Sequence, residues 1–343
     1  MILIKNGRAI ARIVIAAEAP PAERHAAEEL RYFLHRMSGA ALPIAETPAT
    51  NCPNVYIGSA WSGPGPDLPT LGFDGYVVET RGNDLLLTGV KPYSCLYAVY
   101  HLLQRHLGCG FFEDGDQVPP RKTVAVGVIG DVCKPRFEHR QFVHPCHSSY
   151  SNRWWSLADW KQWLDYGAKM RFNVANLYLH LAESGLAVLV WKRLGADIGL
   201  TDYQRAQMAL YRDVVSHARL VGIRVILPTA RAVTSLGHID RSMDAQFEAF
   251  HALYRDKVRF TESLWCGWRV HRVSAADPLY AKAIGLMAEE AVRHFGTDHL
   301  YMLESVTKGY PRRKVRFYAG SPPRLIRSAL AAFPPAQSGN VVV

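Results

Sequence analysis

The side chains best suited to chemistry are concentrated in a single run, His144-Pro145-Cys146-His147-Ser148-Ser149-Tyr150-Ser151-Asn152-Arg153-Trp154-Trp155. It brings together histidine, cysteine, tyrosine and tryptophan. Flat aromatic faces stack on the apolar C–H face of a sugar ring, and His, Tyr and Asn bond its hydroxyls. A plainer reading stands beside this one: Trp154 and Trp155 pack a barrel wall, and Tyr150 caps a helix. The second candidate is Glu304, in His299-Leu300-Tyr301-Met302-Leu303-Glu304-Ser305. A partly buried carboxyl at the end of a strand acquires the raised pKa that a general acid needs. Its alternative is an ion pair with Arg312, Arg313 or Lys314. Glycoside hydrolysis generally uses two carboxyl groups roughly 5 to 10 Å apart. His180 follows a strand and is a further substrate-contact candidate. Glu183 and Glu262 are weaker candidates and read as solvated.

Other chemistries lack their patterns. His144 and His147 are three residues apart in a loop with no acidic neighbour, and H-E-x-x-H is absent, so no metal site is expected. None of the six cysteines forms a C-x-x-C pair, and they read as scattered thiols rather than a disulfide framework. G-x-S-x-G, the Walker loop and the dinucleotide fingerprint are also missing, so no cofactor is expected.

Two rhythms in the chain position these residues. Residues 1 to about 132 read as a small α/β domain. Short strands are expected at Ile2–Ile4, Ile10–Ala16, Asn54–Ile57, Tyr76–Thr80, Asp84–Thr88 and Thr123–Ile129. A helix from about Ala22 to Met37 stops at Gly39, and a second runs from Ser94 to His106. Arg81-Gly82-Asn83 is a hairpin turn. From about Lys134 strands and helices alternate. The strands are Gln141–His144, Asn173–His180, Ile223–Leu227 and His299–Leu303. The helices are Leu157–Arg171, Asp202–Val221 (N-cap Thr201), Pro278–Phe295 (N-cap Asp277) and Pro322–Phe333, and Val341–Val343 begins another strand. Buried strands alternating with amphipathic helices predict a parallel sheet covered by helices, with functional residues at the strand C-termini. A complete eight-fold barrel takes about 250 residues. The expected architecture of residues 133–343 is therefore the N-terminal part of a (β/α)8 barrel, an incomplete one.

Composition sets the outer limits. Of 343 residues, 49% are hydrophobic and 20% charged, a globular balance with enough apolar material for a sizeable core. No apolar run is long enough to span a membrane, and the N-terminus lacks a signal-peptide core, which gives a cytoplasmic expectation by default. The net charge of +10 permits an acidic partner. No basic block interleaved with aromatics accompanies it, so nucleic acid is not an expected partner.

The same residues resemble a known family. Cys146-His147-Ser148-Ser149-Tyr150-Ser151-Asn152-Arg153-Trp154-Trp155, followed by Trp160, Trp163 and Arg171-Phe172-Asn173, is similar to the C-x-x-S-Y-S-x-x-W-W run and Trp-rich helix of the α-N-acetylglucosaminidases, glycoside hydrolase family 89. Asp277-Pro278-Leu279-Tyr280 and Phe295-Gly296-Thr297-Asp298-His299-Leu300-Tyr301 look like two further segments of that family. Leu87-Thr88-Gly89 and Leu96–Leu103 resemble the small domain that precedes glycosidase barrels. The resemblance implies hydrolysis of a terminal α-linked amino sugar by two glutamates. It also implies sugar contacts from His144, Cys146 and Tyr150, with His144 standing where the family usually has Asn. Two departures are visible. The family continues x-x-D-x-F-N-E with the acid/base at the final Glu, whereas here Glu304 stands at the Asp and Lys308 at the Glu. The second family carboxylate lies on a later strand, beyond Val343. The resulting expectation is a divergent, truncated glycosidase with Glu304 as acid/base and a carbohydrate as partner. His144, Cys146, Tyr150, Trp154, Trp155 and His180 would form the sugar site. A non-catalytic carbohydrate-binding protein is the alternative, followed by a basic nucleic-acid binder.

Overall fold

Pro21 opens the first helix, α1 (Pro21–Ser38), because its fixed φ suits the first turn and its missing N–H costs nothing there. Ala26, Ala27, Leu30, Phe33, Leu34 and Met37 lie on one buried face. Gly39 ends the helix at φ 82°, its N–H donating to the His35 carbonyl, a left-handed conformation that glycine adopts without strain. The computed structural model describes residues 1–142, 152, 154–177, 180–228, 235–236, 244–258, 260–265, 268–273 and 277–302. The expected Pro322–Phe333 helix and Val341–Val343 strand lie outside the described residues.

The chain divides into two compact units. The first comprises Met1–Phe142, Asp159–Val174 and His217–Ile223, and the second comprises Val143–Ala158, Ala175–Ser216 and Arg224–Val343. The first unit holds strands β1 (Ile2–Lys5), β2 (Arg8–Ala9), β3 (Arg12–Val14), β4 (Ile44–Ala45), β5 (Asn54–Ile57), β6 (Tyr76–Arg81), β7 (Asp84–Gly89), β8 (Gly110–Phe112), β9 (Gly115–Gln117), β10 (Val124–Ala125) and β11 (Gly130–Cys133). Its six-stranded sheet has the order β11-β6-β7-β5-β3-β4. The run from β4 to β7 is parallel, and β6 and β11 are antiparallel additions. The β6–β7 turn closes on Arg81 and Asp84 with Gly82 at φ 62°, as its sequence demands. Helices α1 and α2 (Ser94–His101) pack on each other and on this sheet, enclosing Leu30, Phe33, Val78, Leu85, Leu86, Tyr97 and Tyr100.

Two readings change here. The expected helix Ser94–His106 is α-helical only to His101, and Leu102–His106 is a π-helical turn. The expected strand Thr123–Ile129 is reduced to β10, Val124–Ala125, which joins β1, and β11, Gly130–Cys133, follows it as an unexpected edge strand of the main sheet.

One buried ion pair knots the first unit. Asp74 is fully buried and receives both Arg140 Nη atoms, at 3.1 and 2.6 Å. Asn173 Nδ2 donates to the same carboxylate at 2.8 Å, and Asn173 Oδ1 accepts from the Arg140 N–H at 2.9 Å. Arg140 Nε donates to the Arg171 carbonyl at 2.7 Å. The fork of Arg thus meets a fully satisfied carboxylate, the arrangement in which a buried pair is tolerated.

The remaining elements follow in chain order: β12 (Gln141–Phe142), α3 (Leu157–Lys169), β13 (Val174–Ala175), α4 (His180–Arg193), α5 (Asp202–Leu220), β14 (Arg224–Val225), β15 (Leu227–Pro228), β16 (Ser235–Leu236), α6 (Asp244–Tyr254), β17 (Phe260–Trp265), β18 (Trp268–Val273), α7 (Pro278–Phe295) and β19 (Tyr301–Met302). Thr201 caps α5 reciprocally: Gln204 N–H donates to its Oγ1 at 3.2 Å, and Gln204 Oε1 accepts from Thr201 N–H at 3.0 Å. Asp277 caps α7 by accepting from Leu279 N–H at 2.9 Å.

In the second unit the expected Asn173–His180 strand is shorter: β13 covers Val174–Ala175, and His180 already opens α4. Ala182, Leu186, Ala187, Val188, Val190 and Trp191 are all buried, so α4 has almost no polar face for a helical period to reveal. A Cβ at Gly185 would stand 2.5 Å from Met208 Sδ, so glycine sets the close approach of α4 to α5. Trp191 stacks on Phe250 of α6 at 5.3 Å, and Arg193 reaches the buried Glu290 of α7 at 3.1 Å. Strands β15 and β19 are parallel, with Leu227 opposite Tyr301 and Pro228 opposite Met302. The β17–β18 hairpin and α6 were not expected from the sequence.

Candidate functional site

In the second unit the parallel pair β15–β19 ends on one edge, after Pro228 and Met302. Ile226 N–H donates to the Ala175 carbonyl at 3.0 Å, which ties the end of β13 to the same group of strands. Asp298 fixes the approach to β19: its Oδ2 accepts from Val225 N–H at 2.9 Å. That aspartate, part of the Gly-Thr-Asp-His motif, is therefore structural here.

Buried polar side chains gather in the segments that leave these strands. Asn176 follows β13 and is 7% exposed, and Glu183 in the first turn of α4 is 6% exposed. The expectation of a solvated Glu183 is thus overturned, because α4 is enclosed on almost every side. A carboxylate in the first helical turn also lies where the helix dipole favours negative charge. His180 is the first residue of α4, not the last of a strand. Asn152 is buried at 3% exposure, and its Nδ2 finds no hydrogen-bond partner among the described residues. Its carbonyl accepts from Trp155 N–H at 3.2 Å, closing a turn that carries Trp154, 80% exposed, and a half-buried Trp155. The structure therefore contradicts the wall-packing reading for Trp154, whose ring faces outward. His144, Cys146, Tyr150 and Glu304 lie outside the described residues, as does Lys308.

Asn176 is a side chain that sequence reasoning passed over, and Asn152 counted there only as one hydroxyl-bonding amide of the run. Asn152 sat inside the conspicuous run, but among histidines and tryptophans its amide carried no separate signal. Only burial separates it from its neighbours.

The first unit has a concavity of its own, about 320 Å³, lined by Glu23, Ser59, Trp61, Leu86, Thr88 and Lys91. Glu23 Oε2 accepts from Ser59 N–H at 3.2 Å and from Ser59 Oγ at 2.7 Å. Gly58, at φ 59°, leaves room for that carboxylate: a Cβ would sit 2.3 Å from Glu23 Cδ. Among the described residues Cys52, Cys95, Cys109 and Cys133 are free thiols, and burial pushes Cys109 up to about 11. Among the described residues no helix is long and apolar enough to cross a membrane.

Comparisons with known proteins agree with this architecture. Residues 4–102 match the family described as glycosyl hydrolase family 67 N-terminus. Over 299 residues the chain is 26% identical to human (Homo sapiens) α-N-acetylglucosaminidase, covering 78% of this chain and 38% of that protein. It thus spans well under half the length of the curated relative. Among solved structures, a family 89 glycoside hydrolase from Clostridium perfringens superposes with a TM-score of 0.62 at 13% identity, over 92% of this chain and 36% of the other. The Streptomyces plicatus N-acetyl-β-hexosaminidase gives 0.59 at 16% identity, over 93% and 59%. At such identities these likenesses establish the fold, which is mixed α/β of the glycoside hydrolase type. Within that class the chain is similar to α-N-acetylglucosaminidase in sequence and to family 89 glycoside hydrolases in fold.

Proposed function

We propose that this chain is part of a glycosidase that removes a terminal α-linked N-acetylglucosamine or a closely related amino sugar. The observation that carries this reading is the likeness to α-N-acetylglucosaminidase, 26% identity over 299 residues, together with the Cys146–Trp155 run. A Clostridium perfringens family 89 structure, described as in complex with its substrate GlcNAc-α-1,4-galactose, has a TM-score of 0.63 to this chain. In this reading residues 1–132 form the small domain, and residues 133–343 form the N-terminal part of a (β/α)8 barrel. His144, Cys146, Tyr150 and His180 bond the sugar, and Trp154 and Trp155 offer it aromatic faces. Glu304 donates the proton to the glycosidic oxygen, with a second carboxylate completing the pair. The exposed ring of Trp154 and the amide nitrogen of Asn152, unpartnered among the described residues, support a ligand-facing role for this run.

The test is hydrolysis of an aryl α-N-acetylglucosaminide by the protein that carries this chain. Glu304→Gln should lower turnover by about 10²- to 10⁴-fold, the usual contribution of a general acid. Turnover unchanged in that variant removes Glu304 from the mechanism. Lys308, at the position matching the family's acid/base, favours a second reading as a carbohydrate-binding protein without catalysis. Calorimetric binding of N-acetylglucosamine without release of the aryl group would select it.

A further inference from the structure

Two histidines five residues apart point about 140° away from each other on a regular α-helix. The first unit brings such a pair together. Beyond His101 the backbone closes with i→i+5 bonds, Leu107 N–H to the Leu102 carbonyl at 3.0 Å, and this π-helical turn swings His106 round to the His101 side. The rings are 5.8 Å apart. Both Nε2 atoms face one carboxylate oxygen, Asp131 Oδ2 on the edge strand β11, at 2.9 Å from His101 and 2.7 Å from His106. One ligand atom from each of the three residues lies within 4.8 Å of the others. π-Turns are rare and gather at functional sites.

We propose that His101 Nε2, His106 Nε2 and a carboxylate oxygen of Asp131 form a binding site for one divalent transition-metal ion of the zinc class. Two imidazoles and a carboxylate are an ordinary ligand set for such an ion, with nitrogen and oxygen at about 2.0–2.2 Å and a fourth position open to water. The site lies near the surface, with Asp131 38% and His106 29% exposed, so the carboxylate has room to swing outward as the ion enters. The other ring nitrogen of His101 is already supported. Its Nδ1 lies 3.3 Å from the Tyr76 hydroxyl and 3.7 Å from Cys133 Sγ, and Tyr76 and Cys133 are directly opposed on β6 and β11. A hydroxyl both donates and accepts, so Tyr76 serves either tautomer. In the metal-free form both Nε2–H groups donate to Asp131. In the metal form the His101 proton moves to Nδ1 and is donated to Tyr76, the outer-sphere bond that orients metal-bound histidine. Arg171, whose positive charge opposes one on His101, is engaged by Gln104 Oε1 at 2.8 Å and by the Lys169 carbonyl. Sequence spacing hides the site, because Asp131 arrives from a distant strand. It is independent of the sugar site proposed above.

Titration of the full chain with Zn²⁺, read by calorimetry and by competition with a chromophoric chelator, tests it. The expected result is one equivalent bound, a Tm raised by Zn²⁺, and a tetrahedral absorption band with Co²⁺. His106→Ala and Asp131→Asn should each weaken binding at least about tenfold, and Tyr76→Phe roughly 10-fold through the outer sphere. His35→Ala, on α1 outside the cluster, should leave binding unchanged. Metal-free melting of each variant checks that it folds, and Tyr76→Phe and Asp131→Asn carry the test if His106→Ala does not. Absence of stoichiometric binding, or equal affinity in the parent and the folded cluster variants, overturns the proposal.

Discussion

Asp74 in the first unit and Asn152 in the second are buried in opposite ways. In the first, Asp74 lies fully enclosed with Arg140 and Asn173 filling its lone pairs, and Arg140 in turn reaches the Arg171 carbonyl. In the second, Asn152 is almost as deeply buried, yet its amide nitrogen has no partner among the described residues. A satisfied buried network specifies a fold. A buried donor without a partner carries an unrecovered desolvation cost and is a vacancy for a ligand atom. The contrast separates a buried group that holds its surroundings together from one left with bonding capacity among the described residues.

The sharpest way to break this contrast is Asp74→Ala. It strands the Arg140 charge, and loss of one partner of a buried pair costs about 3–5 kcal/mol. Chemical denaturation should show that loss, and a change below about 1 kcal/mol would mean that the knot is not structural. Next in size is Gly58→Ala. The left-handed backbone at φ 59° alone costs a residue with a Cβ about 1–3 kcal/mol. The clash with Glu23 adds to it, so a melting temperature equal to the parent's would contradict the close approach.

A smaller effect is expected at Glu29, which accepts from the Tyr100 hydroxyl at 2.9 Å. Burial raises the Glu29 carboxyl above its ordinary range despite that bond. The folded state therefore holds the proton more tightly than the unfolded chain. Its stabilising contribution is present below the ordinary carboxylate pKa and is lost as pH rises through the folded value. Glutamine cannot ionise and still offers Tyr100 an acceptor. Glu29→Gln should consequently be more stable than the parent at neutral pH, with the difference vanishing in acid. A stability gap independent of pH would rule this out.

The smallest stability change belongs to Asn152→Ala. Removing an amide whose nitrogen has no partner among the described residues should shift stability by no more than about 1 kcal/mol while weakening sugar binding, read by calorimetry with N-acetylglucosamine. A loss as large as that of Asp74→Ala would erase the distinction between the two buried groups.

In both units the legible elements are those that declare themselves locally. Pro21 and Gly39 bracket α1, Gly82 sets the hairpin, and Thr201 and Asp277 announce the caps of α5 and α7. The elements that were missed have no such local mark. The second unit's α4 is apolar nearly all round, so periodicity could not distinguish it from a buried strand. The π-turn after His101 differs from an α-turn only in bonding pattern, which the side chains Leu102–His106 do not encode. For the same reason Glu183 was read as solvated when it is enclosed.

By itself, the sequence determined which residue types were available and which local turns and caps would form. Both depend on neighbours a few positions apart, whose geometry the backbone dictates. The tertiary structure alone decided which polar groups end up paired. Asp74 meets Arg140, and Asp131 meets His101 and His106, because segments distant along the chain pack side by side. Burial, which fixes the cost of leaving a group unpaired, exists only once that packing is complete.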